Sequence, residues 1–159
     1  MEHLISLKEW TPRQIKSVLD LAADLKADPG KYRDAMARRT LLMIFEKPSL
    51  RTRLSFEAGM NQMGGHAIYY HTGNSPMGSG KESLADSVRT ASRFVDVIMA
   101  RLFKHDDLLE MAKHADVPVI NALTDDSHPC QILADLLSIR EKRGRLEGLK
   151  LAYLGDGFN

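Results

Sequence analysis

The sequence predicts an α/β fold in which helices cover both faces of a parallel sheet. Short apolar runs of strand length alternate with helical segments along the chain. This strand–helix alternation is typical of a parallel sheet, whose strands are buried on both faces. The chain has 159 residues, enough for one domain with its own hydrophobic core, and it shows no internal repeat or low-complexity tract.

The first predicted element is a helix whose start is specified by its capping residues. Thr11 is the expected N-cap, Pro12 occupies the first helical position, and Gln14 completes a capping box. Asp28, Pro29 and Gly30 should end this helix. Its apolar stripe consists of Ile15, Val18, Leu19, Ala22 and Leu25.

The remaining elements are predicted as strand–helix pairs. Gly64 and Gly65 should stop the second helix. Because a covering helix normally follows each strand of such a sheet, and none follows the last strand, we expect residues 1–148 to form one domain and residues 149–159 to begin a second. The predicted strands span residues 40–46, 67–70, 95–100, 117–122 and 149–155, and the predicted helices between them span 50–63, 83–94, 106–115 and 129–143.

Composition restricts the functional classes. The apolar content of 43% and charged content of 27% are those of a globular protein, and the net charge of +1 provides no overall attraction to nucleic acid or membrane. The single cysteine, Cys130, precludes an internal disulfide and favours a reducing compartment. No apolar stretch reaches the roughly 18 residues of a membrane span, and the start of the chain lacks a secretion signal. We therefore expect a cytoplasmic protein with no nucleic-acid or membrane partner.

The stretch EKPSLRTR, residues 46–53, connects the first predicted strand to the following helix. Ser49 is a suitable N-cap, and the first amides of a helix lack intrahelical partners. The guanidinium of Arg51 can bind phosphate oxygens in a bidentate manner, and Thr52 adds a hydroxyl. These groups predict an anion site where the strand ends. The alternative is a capped surface helix with solvated arginines.

Two further strand ends carry polar groups. Arg101 follows the third predicted strand, and His128 and Gln131 begin the helix after the fourth. Because the carboxyl ends of parallel strands meet at one edge of a sheet, these side chains should lie near Arg51. Together they suit a small phosphorylated carbonyl compound. The alternatives are a salt bridge for Arg101 and a helix cap for His128.

Competing motifs fail on their spacing. SPMGSGKES resembles a P-loop, but Ser75 occupies the place of the first Gly, and Glu82 replaces the Ser or Thr that would bind magnesium. GDGFN begins like a dinucleotide-binding fingerprint, whose third Gly would fall at position 160. The other histidines lack metal-ligand spacing. Cys130 is expected to be a small buried residue rather than a catalytic thiol.

Two longer motifs, FEKPSLRTRLSFEAGMNQMGG and HPCQILADLLSIRE, together resemble the aspartate/ornithine carbamoyltransferases. The resemblance covers the whole chain, and FEKPS and HPCQILAD are more similar to the ornithine members. It implies that the chain is the N-terminal domain, which binds carbamoyl phosphate and precedes an amino acid-binding domain. It also implies a homotrimer that uses no cofactor, metal or covalent nucleophile.

The implied reaction transfers the carbamoyl group from carbamoyl phosphate to the side-chain amine of L-ornithine, giving citrulline and phosphate. It would serve arginine biosynthesis or the reverse, catabolic route. Two alternatives stay open. The acceptor could be aspartate or an N-acylornithine, or the chain could be a module that binds a phosphorylated metabolite without catalysis.

The resemblance also assigns site residues. Leu50 stands where the family usually has Thr in its phosphate-binding stretch. Thr52, Arg101 and His128 would stabilise the oxyanion, and Gln131 would orient the carbamoyl amide. The complete carbamoyl phosphate set is Ser49, Leu50, Arg51, Thr52, Arg101, His128 and Gln131.

The resemblance further implies a contribution from a neighbouring subunit. In the family, a loop reaches into the site of the adjacent subunit. That loop corresponds here to residues 74–83, with Lys81 as its candidate ligand. Asn159 lies at the family's pair of asparagines that contact the amino acid substrate.

Overall fold

The computed structural model describes residues 2–77 and 80–155, and within them it confirms the predicted α/β fold. Two short 3-10 turns, Pro29–Tyr32 and Thr72–Asn74, supplement the main elements. The strands are β1 (Thr40–Phe45), β2 (His66–His71), β3 (Val97–Arg101) and β4 (Val119–Leu123). The helices are α1 (Pro12–Ala27), α2 (Leu50–Gln62), α3 (Leu84–Ala91), α4 (His105–His114) and α5 (Pro129–Arg143).

The four strands form one parallel sheet in the order β2-β1-β3-β4. Phe45, the last residue of β1, is in register with His71 on one side and Arg101 on the other. A register shift between Ala100 and Arg101 then pairs Arg101 with Leu123, the last residue of β4. The carboxyl ends of all four strands therefore meet at one edge of the sheet.

Apolar layers cover both faces of the sheet, as predicted. On one face, Val88 of α3 and Met111 of α4 pack in a buried cluster with Ile98 of β3. On the other, Met60 of α2 packs with Met43 of β1. These layers fix α2 and α4 against the strands that precede them, so the helix starts lie near the carboxyl edge.

Local sequence signals account for the ends of the first two helices. The capping box of α1 is present, with the Thr11 amide donating to Gln14 Oε1 at 2.9 Å and the Gln14 amide donating to Thr11 Oγ1 at 3.3 Å. After α2, Gly64 adopts a φ of 79°. A Cβ at Gly64 would lie 2.8 Å from the carbonyl oxygen of Arg33, so only glycine fits this turn.

The prediction of a fifth strand over residues 149–155 is wrong, because none of these residues lies in a strand. The outer edge of β4 is occupied instead by the N-terminal segment. The Leu4 amide donates to the Val119 carbonyl at 2.9 Å, and the Asn121 amide donates to the Leu4 carbonyl at 2.8 Å. Apolar residues at 149–155 thus have no strand edge to pair with at β4, and Leu154 is 95% exposed.

None of the helices in the described ranges is long and apolar enough to cross a membrane.

Candidate functional site

A cavity of about 300 Å³ lies at the carboxyl edge of the sheet, between the N-terminal ends of α2 and α5. It brings together residues from three strand–helix junctions that are far apart in sequence. Six of the seven predicted carbamoyl phosphate residues line it. They are Ser49, Arg51, Thr52, Arg101, His128 and Gln131.

A larger groove of about 630 Å³ lies elsewhere, along the α2 face near the start of β1. Its lining is mostly apolar. Two of its charged groups, Arg39 and Asp96, neutralise each other through an ion pair of 2.6 Å. We therefore place the candidate site in the smaller cavity, where cationic groups converge without acidic partners.

The N-terminus of α2 forms one wall of the cavity. Ser49 is its N-cap, as predicted, and its Oγ accepts a hydrogen bond from the Thr52 amide at 3.3 Å. In the described structure, the amides of Leu50 and Arg51 have no backbone acceptor. These amides and the positive end of the helix dipole form an environment that favours an anion.

The two arginines of the SLRTR motif have different roles. Arg51 lines the cavity, and the described residues offer it no hydrogen-bonding or ionic partner. Arg53 instead donates to Glu57 at 3.0 Å and lies 4.0 Å from the ring centre of Tyr69. Only Arg51 is therefore available to an anion. Leu50, between Ser49 and Arg51, has a side chain that is 74% exposed and does not line the cavity.

Arg101 projects from the end of β3 into the cavity. Its Nη1 lies 3.5 Å from Thr52 Oγ1, and its buried Nε has no hydrogen-bond partner in the described structure. No carboxylate among residues 2–77 and 80–155 forms a salt bridge with it, so the salt-bridge alternative fails. Burial lowers the pKa of Arg101, and the nearby charge of Arg51 lowers it further. An unpaired guanidinium in this position would be stabilised by a bound anion.

His128 occupies the N-cap position of α5, yet its side chain makes no capping hydrogen bond, which excludes the alternative of a side-chain cap. Its buried Nδ1 has no partner within the described part of the chain. Burial lowers the pKa of His128, Arg101 lowers it further, and Asp135 partly opposes both. The imidazole is therefore neutral at pH 7, with one ring nitrogen available to donate and the other to accept.

Gln131 lies in the first turn of α5. Its Nε2 donates to Asp135 Oδ1 at 2.9 Å. This bond fixes the amide so that its oxygen remains the group that can accept a hydrogen bond from a ligand.

Cys130 also lines the cavity but does not supply a nucleophile. Its Sγ donates to the Asn121 carbonyl at 3.4 Å, and burial raises the pKa of the thiol to about 11. The thiolate form is thus rare at neutral pH. Cys130 is therefore not a catalytic thiol, as predicted, but it is half-buried rather than fully buried.

Sequence reasoning missed several residues of the cavity. Phe56 lies one helical turn after Thr52, so the spacing of α2 could have identified it. Leu123 carries no such signal; its backbone adopts a φ of 152°, which is rare for a residue with a side chain. Ser55 and Ala134 complete the unpredicted lining.

Of the two remaining predicted residues, only Lys81 belongs to the described part of the chain, and it does not line the cavity. Lys81 is exposed, and its amide donates to the Pro76 carbonyl at 3.1 Å. Asn159 lies outside the described residues. The contributions assigned to Lys81 and Asn159 stay predictions.

Comparison with known proteins places this cavity in a family context. The family model of the aspartate/ornithine carbamoyltransferase carbamoyl-P binding domain matches residues 2–141. Over 159 residues, the chain is 48% identical to the catabolic ornithine carbamoyltransferase of Halobacterium salinarum, covering all of this chain and 52% of that protein.

Solved structures show the same similarity. The ornithine carbamoyltransferase of Pyrococcus furiosus superposes with a TM-score of 0.94 at 46% identity, over 99% of this chain and 51% of that one. A mutant N-acetyl-L-ornithine transcarbamylase superposes with a TM-score of 0.80 at 31% identity, over 91% and 49% of the two chains. The chain thus spans about half the length of each of these relatives.

Proposed function

The chain belongs to the aspartate/ornithine carbamoyltransferase family, and on that premise we propose that it supplies the carbamoyl phosphate half of an ornithine carbamoyltransferase. The observation that carries the proposal is the cavity in which Arg51, Arg101 and His128 converge. Buried nitrogen atoms of Arg101 and His128 lack partners there within the described residues. A bound carbamoyl phosphate would provide those partners and neutralise the two adjacent guanidinium groups.

The phosphate would bind at the N-terminus of α2. Arg51 can bind two of its oxygens through a planar guanidinium, while the free amides at the start of the helix donate to others. Ser49 and Thr52 add hydroxyl donors at the same helix end. Leu50 would contribute its backbone amide only. The phosphate is also the leaving group, so these contacts would stabilise the charge that it gains as the bond breaks.

The carbamoyl group would bind at the ends of β3 and β4. As the amine nitrogen attacks the carbamoyl carbon, the carbonyl oxygen gains negative charge, and Arg101, His128 and Thr52 would stabilise it. Gln131 would accept a hydrogen bond from the carbamoyl amide. The tetrahedral intermediate then breaks the bond between the carbamoyl carbon and the phosphate oxygen, and the proton lost by the attacking nitrogen passes to the departing phosphate. Much of the rate enhancement would come from aligning the two substrates.

The similarity favours ornithine as the acceptor. Identity is 46% to the ornithine carbamoyltransferase structure and 31% to the N-acetyl-L-ornithine enzyme. The catabolic relative supports the reverse, degradative direction as an alternative to arginine biosynthesis. Residues 1–148 would form the carbamoyl phosphate domain and residues 149–159 the start of the amino acid domain. A cytoplasmic homotrimer, with Lys81 reaching a neighbouring site and Asn159 contacting the amino acid, completes the proposal.

The test is product formation by the protein expressed from its natural gene. Carbamoyl phosphate would be offered with L-ornithine, N-acetyl-L-ornithine or L-aspartate in parallel, and mass spectrometry would identify the carbamoylated product. We expect citrulline from ornithine. Carbamoylation of another acceptor alone would reassign the substrate, whereas carbamoyl phosphate binding without any product would favour the non-catalytic module.

A further inference from the structure

Asn121 is a fully buried polar residue in β4, beside the candidate site but not in its lining. Its side chain joins three separate segments of the chain. Nδ2 donates to the Ile5 carbonyl at 2.9 Å, to Ser127 Oγ at 3.1 Å and to the Ser127 carbonyl at 3.3 Å. Oδ1 accepts from the Leu123 amide at 3.0 Å. All hydrogen-bonding groups of this amide are thus engaged.

The partners fix the orientation of the Asn121 amide. The Leu123 amide can only donate, so it requires the oxygen atom of the side chain. The carbonyls of Ile5 and Ser127 can only accept, so they require the nitrogen atom. A side chain with the same shape but a different donor pattern cannot satisfy both sides.

The side-chain oxygen of Asn121 binds the backbone at the end of β4. By binding the Leu123 amide, it holds the backbone of that residue at its unusual φ of 152°. The Leu123 carbonyl then accepts from the Leu102 amide at 3.0 Å, next to Arg101. The conformation that Asn121 imposes is therefore linked to the strand end that carries Arg101.

The side-chain nitrogen of Asn121 binds the turn that precedes α5. Thr124 and Ser127 close this turn through the Thr124 amide, which donates to the Ser127 carbonyl at 3.0 Å. That bond shapes the turn but does not attach it to the sheet. The Asn121 side chain attaches it, at the residue directly before His128.

Two flanking bonds hold the same segment: the Asp125 amide donates to the Phe103 carbonyl at 2.9 Å, and Cys130 Sγ donates to the Asn121 backbone carbonyl at 3.4 Å. Since the His128 side chain makes no capping hydrogen bond, its location depends on such backbone anchors, and the bond from Asn121 to Ser127 is the nearest of them in sequence.

We propose that Asn121 is a positioning residue, which holds His128 against the carbamoyl group without touching the substrate. This inference rests on the proposed function. Arg51 and the phosphate-binding end of α2 make no hydrogen bond with Asn121, so the phosphate subsite should be independent of it. Substitution of Asn121 should therefore weaken binding of the carbamoyl group and leave binding of the phosphate nearly unchanged.

A double-mutant cycle in the protein expressed from its natural gene, with Asn121→Ala, His128→Ala and the double variant, tests the proposal. Calorimetry would measure the affinity of each variant for carbamoyl phosphate and for inorganic phosphate. We expect Asn121→Ala to weaken carbamoyl phosphate binding about tenfold, as expected for the loss of one well-placed hydrogen bond, and to change phosphate binding less than about twofold. In the His128→Ala background, Asn121→Ala should have a clearly smaller effect on carbamoyl phosphate, with the remainder passing through the strand end that carries Arg101.

Met111→Ala is the matched control for lost stability. Met111 is fully buried in the cluster with Val88 and Ile98, on the face of the sheet away from α2 and outside the cavity lining, so its truncation should lower the melting temperature while leaving both affinities unchanged. If Asn121→Ala does not fold, Asn121→Leu, which keeps most of the side-chain volume, replaces it in the same cycle. Retained phosphate binding confirms that a variant is folded at the site.

Three results would overturn the proposal. Asn121→Ala could leave carbamoyl phosphate affinity unchanged, weaken both ligands equally, or have the same effect with and without His128. Failure of the unsubstituted protein to bind either ligand would instead contradict the proposed function, and the positioning role would then fall with it.

Discussion

At the scale of single residues, the contrast between Arg51 and Arg53 is the most informative feature of the site. Both belong to one short motif, and their charges are the same. Arg53 is held by Glu57 and by the ring of Tyr69 on the edge strand β2. Arg51 enters the cavity with no partner among the described residues. A single substitution at each position can therefore separate anion binding from packing.

We expect Arg51→Ala to abolish measurable carbamoyl phosphate binding while the fold survives. Losing a charged partner of a desolvated anion costs about 2–5 kcal/mol. Calorimetry with carbamoyl phosphate measures the binding, and circular dichroism reports the fold. The control is Arg53→Ala, which should cost about 0.5–1 kcal/mol of stability through its lost ring contact and leave binding intact. Unchanged affinity in Arg51→Ala would remove this residue from the site.

His128 should give the protein a pH-dependent stability. Because burial and Arg101 lower its folded-state pKa, the unfolded chain takes up a proton near pH 6.5, before the folded chain does. The unfolded state then binds more protons, so stability is fully present above about pH 6.5 and is lost as the pH falls through the lower folded-state pKa.

His128→Gln should remove this part of the pH dependence. Urea denaturation between pH 5 and pH 7.5 (about one unit or more either side of the ordinary histidine pKa) would show a smaller acid-side loss in the variant, in buffers without phosphate. The pKa of His3 is also lowered, so only the difference between the two proteins isolates His128. Identical pH profiles would mean that His128 titrates normally in the folded protein.

At the scale of elements, the N-terminus of α2 joins the sheet to the candidate phosphate site. Leu50 is its first residue, and its side chain is exposed at the position where the resemblance to the family implies a Thr hydroxyl. We expect Leu50→Thr to tighten carbamoyl phosphate binding or leave it unchanged, since one new hydrogen bond contributes about 0.5–1.5 kcal/mol net. A direct titration would measure the affinity. Clear weakening would show that the Leu50 side chain makes a contact that supports binding.

The order of elements could be predicted because each strand and helix carries its own local signal. Thr11 with Gln14 and Ser49 mark helix starts through groups within three residues of one another. The fifth strand could not be judged in this way. A strand requires a partner edge, and the edge of β4 is taken by Leu4, more than 100 residues earlier in sequence.

The residues of the candidate site divide in the same way, into those that the sequence predicts and those that depend on tertiary contacts. Arg101 and His128 could be placed together because the ends of parallel strands meet at one edge. That Arg53 turns away from the cavity depends on Tyr69 of β2, which is a tertiary contact with no signal in the motif itself. The unusual backbone of Leu123 likewise depends on the buried amide of Asn121 and on a register shift in the sheet.

At the scale of the whole molecule, several large apolar side chains near the end of the described residues are exposed. Leu151 and Leu154 are 84% and 95% exposed, and Tyr153 is also exposed. Such a cluster is typical of a surface that another part of a protein covers. The relatives of this chain are about twice its length. Both observations support the proposal that residues 149–159 begin a second domain.

Residues 1–159 alone should therefore bind carbamoyl phosphate weakly and should not carbamoylate ornithine. The phosphate and carbamoyl contacts are present in the cavity, but the proposed second domain would have to position the amine and exclude water. Without it, the advantage of aligning two substrates is lost, which can amount to several powers of ten in rate. If Lys81 completes a neighbouring site, even the weak binding should depend on assembly of the chain.

A citrulline assay on the purified 159-residue chain, combined with sedimentation to determine its oligomeric state, measures both expectations. The control is the protein expressed from its natural gene, assayed at the same concentration of sites. Dilution that dissociates the short chain should weaken carbamoyl phosphate binding if a neighbouring subunit contributes Lys81, and Lys81→Ala should reproduce that loss without dissociation. Turnover by residues 1–159 near that of a full-length carbamoyltransferase would contradict the two-domain proposal, because one domain would then position both substrates.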